Sequence, residues 1–112
     1  MRKVLLSMIL LAVFAATTHS GTYVSGSASC PVSGNAQVST TAYSVYSLTV
    51  TANIANTGYI HLGSPSVTTS TGGVLVAGGS FSDSRSSAAL NPASLYFACT
   101  ASTDGLTWIG SR

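Results

Sequence analysis

The stretch YSLTVTANI, Tyr46 to Ile54, sets Tyr46, Leu48, Val50, Ala52 and Ile54 in alternation with Ser47, Thr49, Thr51 and Asn53. Successive side chains of an extended chain point to opposite sides, so a period of two this regular belongs to a β-strand with one buried face. Downstream, Asn56-Thr57-Gly58 reads as a tight turn in which Gly58 takes positive φ, joining this strand to Tyr59–Leu62 as a hairpin. Short strands are then expected at Ser66–Ser70, Val74–Val76 and Ser80–Ser82, separated by Thr71-Gly72-Gly73 and Ala77-Gly78-Gly79. Asp83 to Ala89 reads as a polar loop and Asn91-Pro92 as a turn. Leu95, Phe97, Cys99 and Ala101 again share one face, and Asp104-Gly105 signals a hairpin into Leu106–Ile109.

Upstream, MRKVLLSMILLAVFAATTHS has the order of a secretory signal peptide: basic Arg2 and Lys3, an apolar run from Val4 to Ala16, then small residues. The run is too short for a comfortable bilayer span, which needs about 20 residues. Cleavage is expected after Ser20, with Ala15 as the second site. The chain therefore divides into a signal peptide at 1–20, a Gly/Ser-rich arm at 21–34 tied down only through Cys30, and a β domain at 35–112. No segment after the leader shows helical periodicity, and Val, Thr, Tyr and Ser dominate. The fold class is all-β: a small antiparallel β-sandwich, jelly-roll or Ig-like, with no membrane span after cleavage of the leader.

Arg2 and Lys3 account for the formal charge of +2, which leaves Asp83, Arg85, Asp104 and Arg112 beyond residue 20. Such a chain has no field with which to attract nucleic acid. About one residue in three from Gly21 onward is Ser or Thr, so solubility rests on hydroxyls, and a neutral surface of this kind is prone to self-association.

The absence of Lys and Glu beyond the leader limits acid–base chemistry to His61, Asp83 and Asp104. No G-x-S-x-G elbow places a nucleophile. The glycines at 58, 63, 72, 73, 78 and 79 match neither a phosphate loop nor a dinucleotide fingerprint and read as turn residues. One His and two distant Asp make no zinc or calcium set. No catalytic, cofactor-binding or metal-binding residues are assigned. His61 shares a strand face with Tyr59, opposite Ile60 and Leu62, and reads as an exposed strand histidine. Tyr46 and Trp108 lie on apolar phases and are expected in core packing or a partner interface. Tyr43, Tyr59, His61 and Tyr96 form the candidate binding surface.

Cys30 and Cys99 are the two cysteines. In an exported chain an even pair reads as a disulfide, here closing a loop of about 70 residues; two separate buried thiols are the alternative.

The runs NTGYIHLGSPSVTTSTGGVLVAGGSF and LNPASLYFACTASTDGLTWIG carry a further signal. Asn56-Thr57-Gly58, the strand Tyr59 to Gly63, the Ser/Thr-rich Val67 to Gly73, Leu75 to Ser80, and Leu95-Tyr96 with the strand through Trp108 form a pattern that resembles small β-sandwich structural and decoration proteins of tailed bacteriophage virions. The resemblance covers about two thirds of the chain after the leader. It implies a non-enzymatic module that joins or decorates larger assemblies and carries no catalytic residues. The export leader and the cysteine pair suit a secreted prophage or bacterial relative equally well, so secreted and virion locations both stand. A protein partner or self-association is expected, since uncharged strand edges are able to extend a sheet into a neighbour. A secreted carbohydrate-binding or adhesin-like module using exposed tyrosines, with a glycan as partner, is the alternative.

Overall fold

A computed structural model describes residues 22–112; the export leader read at residues 1–20 lies outside them. Eight strands follow in order: β1 (Tyr23–Ser29), β2 (Asn35–Gln37), β3 (Ser47–Ala52), β4 (Ile60–Gly63), β5 (Gly73–Leu75), β6 (Ser80–Ser84), β7 (Tyr96–Cys99) and β8 (Gly105–Ser111), with one 3₁₀ turn, Pro92–Ser94, before β7. They form two four-stranded sheets, β1-β8-β3-β6 and β2-β7-β4-β5, and every pairing is antiparallel. β1 pairs with β8, β2 with β7, β3 with β6 and β4 with β5. The chain thus behaves as one long hairpin folded at its middle and wrapped across two layers.

The alternation in β3 does what its sequence requires: Leu48, Val50 and Ala52 are buried while Ser47, Thr49 and Thr51 are half-buried. Leu106 and Trp108 of β8 lie beside them on the same inner face, opposite Ile60 and Leu62 of β4, Phe97 of β7 and Leu75 of β5 in the other sheet. Val38, Val45 and Leu90 complete the core, and Val45 and Leu90 form an isolated bridge between segments outside the strands. The disulfide is present: Cys30 just after β1 joins Cys99 at the end of β7, Cα to Cα 5.9 Å. It therefore links the two layers covalently.

Several local expectations are corrected. The segment 21–34, read as an arm, contains β1, which runs beside β8 through seven residue pairs from Tyr23↔Ser111 to Ser29↔Gly105. Backbone pairing with β8 holds it, in addition to the Cys30 tether that the sequence suggested. Gly26 is required there, because a Cβ at that position would stand 2.8 Å from Trp108 Nε1.

β3 and β4 are not a hairpin, and neither are β7 and β8; each pair is split between the two sheets. Neither Gly58 nor Gly105 has positive φ, so neither makes the tight turn read into it. A Cβ on Gly58 would instead overlap Thr100 Oγ1. The alternation of Tyr46–Ile54 also ends early at both margins. Val45 is fully buried and takes the core position expected of Tyr46, which is 47% exposed, and Ile54 is 88% exposed in the crossover beyond β3.

Ser66–Ser70 is not a strand but part of a loop, and β6 extends through Asp83 and Ser84, where a loop was expected. Gly63 and Gly73 lie within β4 and β5 rather than in turns.

Candidate interaction surface

Of the three side chains with acid–base chemistry, Asp104 and His61 are engaged inside the fold and Asp83 at its surface. Asp104 is buried and its carboxylate accepts from Thr57 N at 2.9 Å, Gly58 N at 2.8 Å and Thr57 Oγ1 at 3.4 Å. The Thr57 amide, together with Gly58 N and the Thr57 hydroxyl, holds the carboxyl below the ordinary aspartate value of 3.8 against the opposing effect of desolvation. Beside it, Asn56 Nδ2 donates to Gly105 O at 2.9 Å while Gly105 N donates to Asn56 Oδ1 at 3.0 Å, a side chain standing in for a ladder partner. These bonds clamp the β3–β4 crossover to the start of β8.

His61 is correctly phased on the face of β4 opposite Ile60 and Leu62, but it is buried, not exposed. The loop from Ser64 to Gly72 lies over that outer face. Asn35 Nδ2 donates to Pro65 O at 2.8 Å and Val67 O at 3.0 Å, and His61 Nδ1, 3.0 Å from the Thr71 carbonyl, must carry a proton and donate to it. Val67 is buried beneath this flap. Gly72, at φ +82°, turns the chain back toward β5 where a Cβ would collide with Leu62 O and Val67 Cγ2. Asp83 forms a surface pair with Arg85 at 3.5 Å.

The four residues named for a binding surface do not converge. Tyr43 packs partly buried against the core, its ring 5.6 Å from Trp108 at 50° and its other contact the Arg112 guanidinium 5.9 Å from the ring centre. Tyr59 is exposed, and its neighbour across the ladder is Thr100, whose Oγ1 accepts from Tyr59 N at 2.7 Å. Tyr96, half-buried, pairs with Gly63 at the other end of the same two strands. Four residues of strand separate these positions by about 13 Å, too far for one shared stacking platform, and His61 between them is covered. Among the described residues no three His, Cys, Asp or Glu side chains are grouped to hold a metal ion, and no helix is long and apolar enough to cross a membrane.

Two grooves lie along the open sides of the fold. Between β5 and β6 runs a groove of about 450 Å³ lined by Leu62, Leu75, Phe81 and Leu95, beside exposed Val74, Val76 and Phe81. Between β1 and β2 lies a more polar cleft of about 410 Å³ lined by Ser25, Ser27, Gln37, Thr40, Tyr43 and Trp108 among others. The sequence contained no pattern for either, because each is made by edges from different sheets. No protein-family model matches the chain, and no curated protein or solved structure does either.

Proposed function

We propose that this protein is a non-enzymatic structural module, of the kind that decorates or joins phage virions, acting outside the cytoplasm through protein–protein contacts. The observation that carries the reading is the use of its polar groups. Asp104 and His61 are buried and spent on internal bonds, and Asp83 pairs with Arg85 at the surface, whereas the outward backbone groups of the β1 edge stay open. Such groups bind by extending a sheet, not by transferring protons. The pairing of β1 with β8, β2 with β7, β3 with β6 and β4 with β5 supports a jelly-roll assignment over an Ig-like one, and viral capsid and lectin domains use that arrangement. Fold analogy raises the prior without naming a function. The interlayer disulfide supports export to an oxidising compartment.

One observation favours the second reading, a secreted carbohydrate-binding module: the β1–β2 cleft combines hydroxyls and Gln37 with the ring of Tyr43. Electron microscopy of the exported protein and of particles released by the encoding cells, together with a glycan array, separates the two. Ordered assemblies or particle-associated protein support the structural reading. Sugar-specific binding by a monomer that joins no assembly overturns it in favour of the second.

A further inference from the structure

Each sheet has two edges, and the four edge strands differ in how they are protected. β2 and β5 are three residues long, and short edges offer little to pair with. β6 is longer but carries Asp83, with Arg85 just beyond, on the side that faces the other sheet, since Asp83 lies opposite buried Leu48. Inward-pointing charge is one of the devices that discourage edge-to-edge association. β1 has none of these protections: seven residues, YVSGSAS, with no charge and no proline, paired with β8 without a bulge.

The ladder fixes which β1 backbone groups are free. Arg112 and Thr22 exchange both N–H···O bonds, at 2.9 and 3.2 Å, and Cys30 N donates to Asp104 O at 3.0 Å. Antiparallel ladders alternate, so Val24, Gly26 and Ala28 also direct their N–H and C=O toward β8. Tyr23, Ser25, Ser27 and Ser29 direct theirs away from the sheet, and these four are the exposed residues of the strand. No hydrogen-bond partner for those four N–H and C=O groups occurs among the described residues. The cleft of about 410 Å³ along Ser25 to Ser29 leaves the inner side of this edge uncovered.

We infer that β1 is a homotypic docking edge: a second copy of this chain pairs its own β1 antiparallel to the first, about a twofold axis through Gly26. The inference rests on the reading that the protein acts through protein–protein contacts, and it names the partner and the register. A second copy fits because the edge is self-complementary. With Gly26 at the axis, Ser25 faces Ser27 of the partner subunit and Tyr23 faces Ser29 of the partner subunit, so every free group meets another free group, giving about eight backbone hydrogen bonds. Val24 falls opposite Ala28 of the partner subunit in a wide pair, where side chains approach most closely. Neither copy brings a charge to this contact. The strand is only about 24 Å long, which confines the buried area below the standard interface of about 800 Å² per partner. The dimer is therefore concentration-dependent, and its product is a continuous eight-stranded sheet.

Exported, disulfide-bonded protein is to be studied by sedimentation and by hydrogen exchange at low and high concentration. The expected result is a monomer–dimer equilibrium in which the amides of Ser25, Ser27 and Ser29 exchange more slowly as concentration rises, while those of Val24, Gly26 and Ala28 stay protected throughout. Ser27→Pro removes an N–H that β8 does not use, and it is expected to weaken dimerisation by about tenfold or more without loss of the β-sheet circular dichroism. Should that variant misfold, Ser27→Lys leaves the backbone intact and places two like charges near the axis, with the same expected direction. Protein that stays monomeric at millimolar concentration overturns the inference, and the structural reading is then decided by imaging alone. A dimer whose Ser25, Ser27 and Ser29 amides remain unprotected also overturns it, but leaves protein–protein contact intact through another surface.

Discussion

At the scale of single residues, chemistry that looks functional in the sequence is turned to structural use. Asp104 is a turn residue by sequence, yet its carboxylate is the acceptor that orders Thr57 and Gly58. Because its folded pKa lies below the unfolded value near 3.8, the stabilisation is complete above that value and is lost as pH falls through the lower folded pKa. Thermal melts across the acid range should show this loss, and Asp104→Asn, which cannot titrate, should melt lower at neutral pH with a flatter acid dependence. His61, read from the sequence as an exposed strand histidine, is buried and donates to Thr71 O. Substituting His61→Ala opens a gap and leaves that carbonyl unpaired, so an expected loss of about 1–3 kcal/mol by denaturant titration replaces a neutral outcome. Gly26→Ala presses a methyl onto the Trp108 indole, and overpacking of this kind is expected to cost about 1–3 kcal/mol, with a change in Trp108 fluorescence as a second readout.

Elements are placed here by what lies beside them as much as by their own pattern. The loop Ser64–Gly72 contains the β-prone run SVTTS, but Asn35, His61 and a positive-φ Gly72 offer it a different set of bonds, and the loop closes over the outer face of β4. Asn35→Ala removes both side-chain bonds to Pro65 O and Val67 O. Faster proteolysis between residues 64 and 72, with melting nearly unchanged, is the expected outcome, since a surface flap opens locally before the sandwich unfolds. If cleavage were unaffected, Val67 burial and the His61 bond alone would be holding the flap.

For the molecule as a whole, stability and folding speed follow from the same wrapped topology. The β1·β8 and β2·β7 pairs join residues from opposite ends of the described chain, so chain closure must precede most of the contacts that reward it. Refolding with the disulfide reduced is expected to take milliseconds to seconds rather than microseconds. The Cys30–Cys99 bridge spans 69 residues and joins the layers. Cys30→Ser or reduction is expected to cost about 2–5 kcal/mol, a fall in melting temperature of about 10 °C or more for a domain of this size. Equal melting of oxidised and reduced protein would show that the sheets hold each other without it.

Legible in the sequence alone were the all-β class, the buried face of β3, the apolar phase of Trp108 and the pairing of Cys30 with Cys99. These depend on period-two alternation and on the redox arithmetic of two cysteines, both local or compositional quantities. The sequence could not determine which strands are neighbours. A turn such as Asp104-Gly105 carries the same residues whether it closes a hairpin or passes between layers, and the choice is made by distant partners, here Thr57, Gly58 and Asn56. Nor could it recover β1, whose Ser, Gly and Ala carry little propensity and whose place comes from the backbone of β8 and the room Gly26 leaves for Trp108. The candidate surfaces belong to this second group. An open edge or a groove between sheets is defined by what the rest of the chain fails to cover, and only the tertiary arrangement decides that.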